Sequence, residues 1–186
     1  MAFLEQFSGP EKALLVALPY RAGLWVSQSD ATGGKTADAQ ELQALSRIIE
    51  AKARGMFRSA FVHEVMAETY GRRTEWKQWA DGVERVPDEC RHAMVLLEKK
   101  LIERDILAYR QTVMTIADDV ARAFREHDEN VGMGGRLLTM AGIMIDKLIG
   151  VFRGEEYEST ALLNISEKED LALGTLAAAL RMDQTP

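Results

Sequence analysis

The side chains Tyr109, Val113, Ile116, Val120 and Phe124 recur at intervals of four, three, four and four residues, a spacing that an α-helix gathers into one apolar face. A strand would scatter the same residues over both surfaces, because its side chains alternate with a period of two. The helical pattern returns in Leu42, Leu45, Ile48 and Ile49, in Phe57, Phe61 and Val65, in Cys90, Met94, Leu97 and Leu101, and in Leu171, Leu173, Leu176 and Leu180. No stretch sustains β-alternation. The expected fold class is therefore all-α: a single-domain multi-helix bundle of about seven helices within 186 residues.

Start and stop signals place those helices. The first is expected from Pro10 to Ser27, opened by a capping box of Ser8 and Glu11; it is apolar nearly all round, which assigns it to the centre. Pro19 removes a backbone donor inside it and predicts a kink. The polar stretch Gln28 to Ala37, with Gly33 and Gly34, reads as the first loop, followed by a helix from Asp38 to Ala53 that stops near Gly55. A third helix is expected from Phe57 to Tyr70. Periodicity then lapses around Trp76, Trp79 and Gly82, which predicts a short turn or ordered loop pinned by the two indoles. The fourth helix runs from Pro87 to about Arg104, and the fifth carries the longest stripe and ends near His127 to Gly132. A sixth spans Arg136 to Phe152. The seventh opens on a second capping box, Ser166 and Glu169, and passes Leu180 before a tail, Asp183 to Pro186, expected to fray. An apolar helix, a polar loop and an acidic helix start occur at Ala13 to Ala53 and again at Leu137 to Arg181; a degenerate two-fold repeat and chance similarity both fit.

Composition narrows the function classes. A hydrophobic share of 47% with 28% charged residues belongs to a globular chain and not to a disordered one. The net charge of −6 argues against a nucleic-acid surface, which needs clustered Lys and Arg to displace counterions. A single cysteine, Cys90, permits no intramolecular disulfide, so a reducing cytoplasmic setting is expected and the thiol reads as a small core hydrophobe. The opening residues lack the pattern of a secretory signal. The most apolar stretches, Ala13 to Val26 and Leu137 to Phe152, are short of a membrane span and carry Arg21, Asp146 and Lys147, so both read as core helices.

Constellations that carry chemistry are sparse. The histidines at 63, 92 and 127 show no metal-ligand spacing, and Glu89 with His92 forms one E-x-x-H where a di-iron bundle needs two. Gly132-Met133-Gly134-Gly135 lacks the Lys-Ser/Thr of a phosphate loop and reads as a turn. No nucleophile elbow is present. Arg21 and Asp146, each inside an apolar helix, either pair in the core, line a small polar pocket or sit at a helix edge. The cluster of Met133, Met140 and Met144 reads as core filling, with a pliable partner groove as the alternative. The most suggestive segment is Ser29 to Glu41. Counting Asp30 as the first of twelve loop positions puts Thr32 third, Asp38 ninth and Glu41 twelfth, an oxygen set for a hard divalent cation, Ca or Mg. Lys35 stands where the sharp turn wants glycine, however, and Asp38 with Glu41 is equally explained as a D-x-x-E capping box.

Over residues 13–49 the Ala-rich apolar helix, the run Val26-Ser27-Gln28-Ser29-Asp30 and the pair Glu41-Leu42 resemble the TerB-like helical domain associated with tellurite resistance. The resemblance implies an all-helical fold of about seven helices, a part in stress responses and divalent-cation binding by acidic residues, of which Asp30 and Glu41 carry over. Ala31 stands where the family has glycine, and Thr-Gly-Gly-Lys is inserted before Glu41. The expected function is thus a non-catalytic helical protein of this type, holding a divalent cation at Asp30, Glu41 and Asp38. Two alternatives stay open: a protein-interaction or self-associating module without metal, and a small-molecule-binding protein or enzyme with an interhelical pocket.

Overall fold

Twelve of the residues from Leu15 to Ser27 are buried, so the segment that the sequence makes apolar on every side does lie enclosed on every side. It belongs to α1 (Gly9–Ser29), around which α2 (Gly34–Ala53), α3 (Ala60–Gly71), α4 (Trp76–Trp79), α5 (Val86–Glu98), α6 (Glu103–Arg125) and α7 (Glu167–Leu180) all pack. The structure is a computed structural model and describes residues 2–29, 34–125 and 167–180. Among these the chain is an all-α multi-helix bundle with no strand, completed by three 3-10 turns at Phe3–Gln6, Arg73–Glu75 and Val83–Arg85. The expected sixth helix, the repeat that would include it, Asp146, His127, the glycine run, the methionine cluster, Ser166 and the tail lie outside the described residues.

One continuous core joins the helices. Tyr109, Val113, Ile116 and Val120 on α6, Cys90, Met94 and Leu97 on α5, Phe61 and Val65 on α3, and Leu173, Leu176 and Leu180 on α7 are all buried in it. Each large apolar side chain so buried contributes roughly 1.5–3 kcal/mol, which outweighs the weak intrinsic preferences of individual helices. On α2 the stripe is narrower than the spacing predicts: Leu45 and Ile49 are buried, whereas Leu42 is exposed.

Pro19 lies within α1 without ending it. Its ring nitrogen has no hydrogen to give the Leu15 carbonyl one turn back. The buried Tyr109 hydroxyl donates to that oxygen instead, at 2.8 Å. One position on, the Thr69 Oγ1 lies 2.7 Å from the Val16 carbonyl and 2.8 Å from the Val65 carbonyl of its own helix, so its single proton is shared between the two. Side chains from α6 and α3 therefore satisfy the stretch of α1 that the proline weakens.

Several boundaries differ from expectation. α1 runs to Ser29, whose hydroxyl donates back to the Val26 carbonyl, and α2 already starts at Gly34. The loop expected over Gln28 to Ala37 is correspondingly short, because Lys35, Ala37, Ala39 and Gln40 are good helix formers. Asp38 consequently sits in the second turn of α2 and is not its N-cap. α3 begins at Ala60, after Ser59, whose Oγ accepts the Val62 N–H. The expected helix from Pro87 to Arg104 ends at Glu98, and α6 restarts at Glu103 with Glu103 and Asp105 in its first turn, where carboxylates suit the helix dipole. Around Trp76, the expected short turn is the one-turn helix α4 between two 3-10 turns.

Candidate functional site

Arg21 is a buried polar group with a hydrogen-bond acceptor for each of its guanidinium nitrogens. Only 6% exposed, it directs Nε to Glu89 Oε2 at 2.8 Å and Nη2 to Glu89 Oε1 at 3.0 Å, a two-point pairing from α1 to α5. Nη2 also donates to the Gly82 carbonyl at 2.8 Å, and Nη1 to those of Asp81 at 2.9 Å and Trp79. All five guanidinium N–H groups are thus spent on one clamp. Next to it Tyr20 stacks on Trp76, centroids 4.6 Å apart, while the Trp76 indole N–H donates to the Thr69 carbonyl at 3.1 Å. Adjacent residues of α1 therefore grip the α4 segment twice. Gly82 takes φ 66, a left-handed conformation open to glycine, and so turns its carbonyl onto Arg21. Arg21 is thus buried and paired with Glu89; Asp146, the residue the sequence sets beside it as a possible core partner, lies outside the described residues.

The same clamp takes the carboxylate of the E-x-x-H pair. Glu89 faces Arg21 while His92 is exposed. His63 is exposed as well, with its ring 6.4 Å from that of Phe57. Cys90 is buried in the core, and burial, with the Glu89 charge adding to it, pushes its thiol up to about 12. Burial likewise raises the phenols of Tyr20 and, further, of Tyr109. These are the protonation states of structural side chains.

For the expected cation set, α2 carries Asp38 and Glu41 three residues apart along one helical backbone. Asp30, and the side chains of Asp38 and Glu41, lie outside the described residues. Among the described residues no group of three or more His, Cys, Asp or Glu side chains converges as a metal site would require. Carboxylates elsewhere have other partners: Glu64 accepts the Phe3 and Leu4 N–H groups, and Asp119 on α6 pairs with Lys52 on α2 at 3.1 Å, its pKa raised because burial outweighs the lysine.

One surface feature combines shape, charge and exposed apolar atoms. A groove of about 280 Å³ opens where the start of α3 meets the first turns of α6, lined by Arg58, Ser59, Arg104, Leu107, Ala108 and Gln111. Residues 104, 107, 108 and 111 follow helical spacing, so α6 forms one wall, and Ser59 is held by its capping bond. Sequence reasoning missed this groove because it placed Phe57 inside α3 and ran the preceding helix through Arg104. The available signal was an apolar residue two positions before an arginine at each helix start, Met56 before Arg58 and Ile102 before Arg104. A second hollow, about 260 Å³ and lined by Trp25, Ser29, Lys168, Leu171, Ala172 and Thr175, is more open. The chain matches no protein-family model, no curated protein and no solved structure.

Proposed function

We propose that this chain is a non-catalytic helical module that works by binding a protein partner. The observation that carries this reading is the exposure of large apolar side chains on the groove wall and in the segments that lead into the two helices forming it: Leu107, 39% exposed, lines the groove, while Met56, 101% exposed, stands two residues before Arg58 and Ile102, 60% exposed, two residues before Arg104. Exposed apolar side chains of this size beside a groove are a feature of binding surfaces. The interior supports the same reading, since Arg21, Glu89, Cys90, Tyr20 and Tyr109 are engaged in packing and internal bonds. Among the described residues no helix is long and apolar enough to cross a membrane. A cytoplasmic location, where an unpaired thiol stays reduced, suits this role.

The test is a photo-crosslinking amino acid placed at Met56 in the full chain within cells, with the same group at exposed Lys77 as control. A discrete adduct from Met56 alone is expected, and an adduct of twice the chain mass would identify a second copy. No adduct from Met56, or an identical pattern from Lys77, would overturn the reading.

A second reading, following the TerB-like resemblance, is a Ca or Mg site at Asp30, Asp38 and Glu41. What favours it is the α2 backbone, which sets Asp38 and Glu41 about one turn apart. Titration with millimolar metal should then raise the melting temperature, and Asp30→Ala should abolish the rise. A flat response would remove the cation from the function.

A further inference from the structure

The segment ahead of α1 is held on the bundle much as a ligand is held by a receptor. Its main-chain pairs run within the segment, from the Glu5 N–H to the Ala2 carbonyl and from the Phe7 N–H to that of Leu4, both at 3.3 Å. The ties to the body come from side chains. One oxygen of the Glu64 carboxylate on α3 accepts the Phe3 N–H at 2.5 Å and the other the Leu4 N–H at 3.2 Å. The Lys100 amine donates to the Gln6 carbonyl at 2.7 Å and lies 4.8 Å from the centre of the Phe7 ring. Leu4 is wholly buried, and the rings of Phe3 and Phe7 meet that of Phe61 with centroids 6.5 and 6.1 Å away. Phe3 and Leu4 open a 3-10 turn whose first N–H groups have no partner inside it, and Ala2 has no side-chain oxygen to cap them. Glu64 supplies that cap from 60 residues away, so the turn loses its cap when the segment leaves the body. The joint to α1 is Ser8, Gly9 and Pro10, all exposed, and a Cβ on Gly9 would meet nothing within 4 Å. Lys100 also pairs with Glu11 of α1, a contact that stays when the segment lifts.

We infer that Phe3–Phe7 is a strap that opens as a unit while the helices stay folded, and that the socket of Phe61, Glu64 and Lys100 beneath it takes a partner segment of the same pattern, Phe-Leu-x-x-Phe. Opening uncovers two large side chains, Leu4 and Phe7, and leaves the α1 core in place; a region with so few buried contacts opens below the free energy of global unfolding. The strap shows what the socket asks of an occupant: two consecutive N–H groups for Glu64, a buried leucine, aromatic rings against Phe61 and a carbonyl for Lys100. Being tethered, the strap competes at an effective concentration on the order of millimolar. The site is therefore shut by default, and a free segment enters in proportion to the open fraction. A partner fits better than a second copy, since two chains of charge −6 repel at long range. The socket also adjoins the groove: Ser59 and Ala108 line the groove, while Phe61 and Tyr109, rings 5.7 Å apart, follow them at the same ends of α3 and α6. The strap stands without the protein-binding reading above; the assignment of its competitor to a partner rests on that reading.

Two measurements on the full chain test this. In native-state amide hydrogen exchange, Phe3 and Leu4 should share one protection factor, lower than that of Leu18 in the α1 core. Glu64→Gln should speed both by about tenfold, the loss of a charged acceptor, and leave Leu18 unchanged. Exchange of Phe3 and Leu4 only in step with Leu18 would mean that the segment unfolds with the bundle, which overturns the strap. The second measurement is fluorescence anisotropy of a labelled peptide of residues 2–8. Leu4→Ala loosens the strap without altering the socket, so this variant should bind the peptide at least about tenfold more tightly than the parent does. Adding Glu64→Gln should abolish the gain, and a peptide with its leucine replaced by alanine should not bind. Phe7→Ala is the second strap variant, used if Leu4→Ala does not fold. No binding to either strap variant, or binding indifferent to Glu64→Gln, overturns the socket. A parent chain that dimerises in light scattering and becomes monomeric with Leu4→Ala would make a second copy the occupant and overturn the partner assignment. Peptide binding without an adduct from Met56 removes the partner together with the groove reading and leaves the strap; an adduct without peptide binding removes the socket alone.

Discussion

A guanidinium enclosed by apolar helices is tolerated only if every N–H finds an acceptor and the charge finds a counter-charge. Arg21 meets both conditions through Glu89 and three carbonyls of the 79–82 segment. Replacing Glu89 with glutamine keeps the shape and removes the counter-charge. Glu89→Gln should destabilise the fold by about 2–3 kcal/mol, below the 3–5 of a fully enclosed pair because the glutamate side chain keeps partial contact with water. Urea unfolding monitored through the tryptophans measures it, and a loss under about 0.5 kcal/mol would contradict the clamp. Arg21 was legible in the sequence as an anomaly, a charge in an apolar run; its partner was not, because Glu89 lies 68 residues away and only the packing of α5 on α1 selects it. Glu11 offers a second test. Its carboxylate accepts the Ser8 N–H at 2.8 Å and pairs with Lys100 at 3.0 Å, which together hold its pKa at about 2 instead of 4.5. A pKa lower in the folded than in the unfolded chain means stability that is present above about 4.5 and lost as pH falls from there toward 2. Glu11→Gln should flatten the stability profile in that window and leave the neutral side parallel to the parent; a parallel acid limb would show that Glu11 contributes nothing there. This capping box is local in sequence, and so was visible in it.

Among the elements, α1 shows how a weak point is repaired from outside. The Leu15 carbonyl lacks an intrahelical donor because residue 19 is proline, and the Tyr109 hydroxyl supplies one from α6. Tyr109→Phe should therefore cost about 1–3 kcal/mol, the penalty of a buried acceptor left unpaired. In a Pro19→Ala background the backbone N–H of residue 19 returns to that carbonyl, and the same substitution should cost much less. Equal costs in the two backgrounds, measured as a double-mutant cycle, would show that the hydroxyl does not serve the proline gap. The existence and type of the helices were legible because each buries a periodic face; their limits were less so. The break between α5 and α6 contains neither glycine nor proline, only the run Lys99-Lys100-Leu101-Ile102, and its stabilising feature is the Lys100 amine reaching the Gln6 carbonyl at 2.7 Å and Glu11. Such a turn is set by a contact 94 residues distant, which no window of local sequence contains. The start of α2 was misplaced for the opposite reason: Asp38 and Glu41 form a convincing local cap signal, and the helix-forming residues ahead of them outweigh it.

At the scale of the molecule, the core was predictable and the groove was not. Burial follows periodicity, whereas a groove depends on where two helices start relative to each other, which periodicity does not fix: α3 starts at Ala60, three residues after Phe57, and α6 at Glu103, inside the stretch read as the end of the preceding helix. A close approach of the same kind, between helices, occurs at Gly23, where α1, α2 and α6 meet. A Cβ on this residue would lie 2.6 Å from Leu45 Cδ1, 3.2 Å from Val120 Cγ2 and 3.3 Å from Ile116 Cγ2. Glycine within an apolar helix is here a packing residue, required by the closeness of three helices and not by a special backbone angle. Alanine improves helix propensity by up to about 1 kcal/mol, and overpacking opposes it by about 1–3 kcal/mol. Gly23→Ala should accordingly lose on balance about 1 kcal/mol, or roughly 2–4 °C in Tm for a chain of this size. The closest atom is the end of a flexible leucine, so the sign of the effect depends on whether Leu45 is there to be displaced. Placing Gly23→Ala in a Leu45→Ala background removes the 2.6 Å contact, and the substitution should then become neutral or stabilising; an undiminished loss in that background would mean that Val120 and Ile116, and hence the α1 to α6 seam alone, set the spacing.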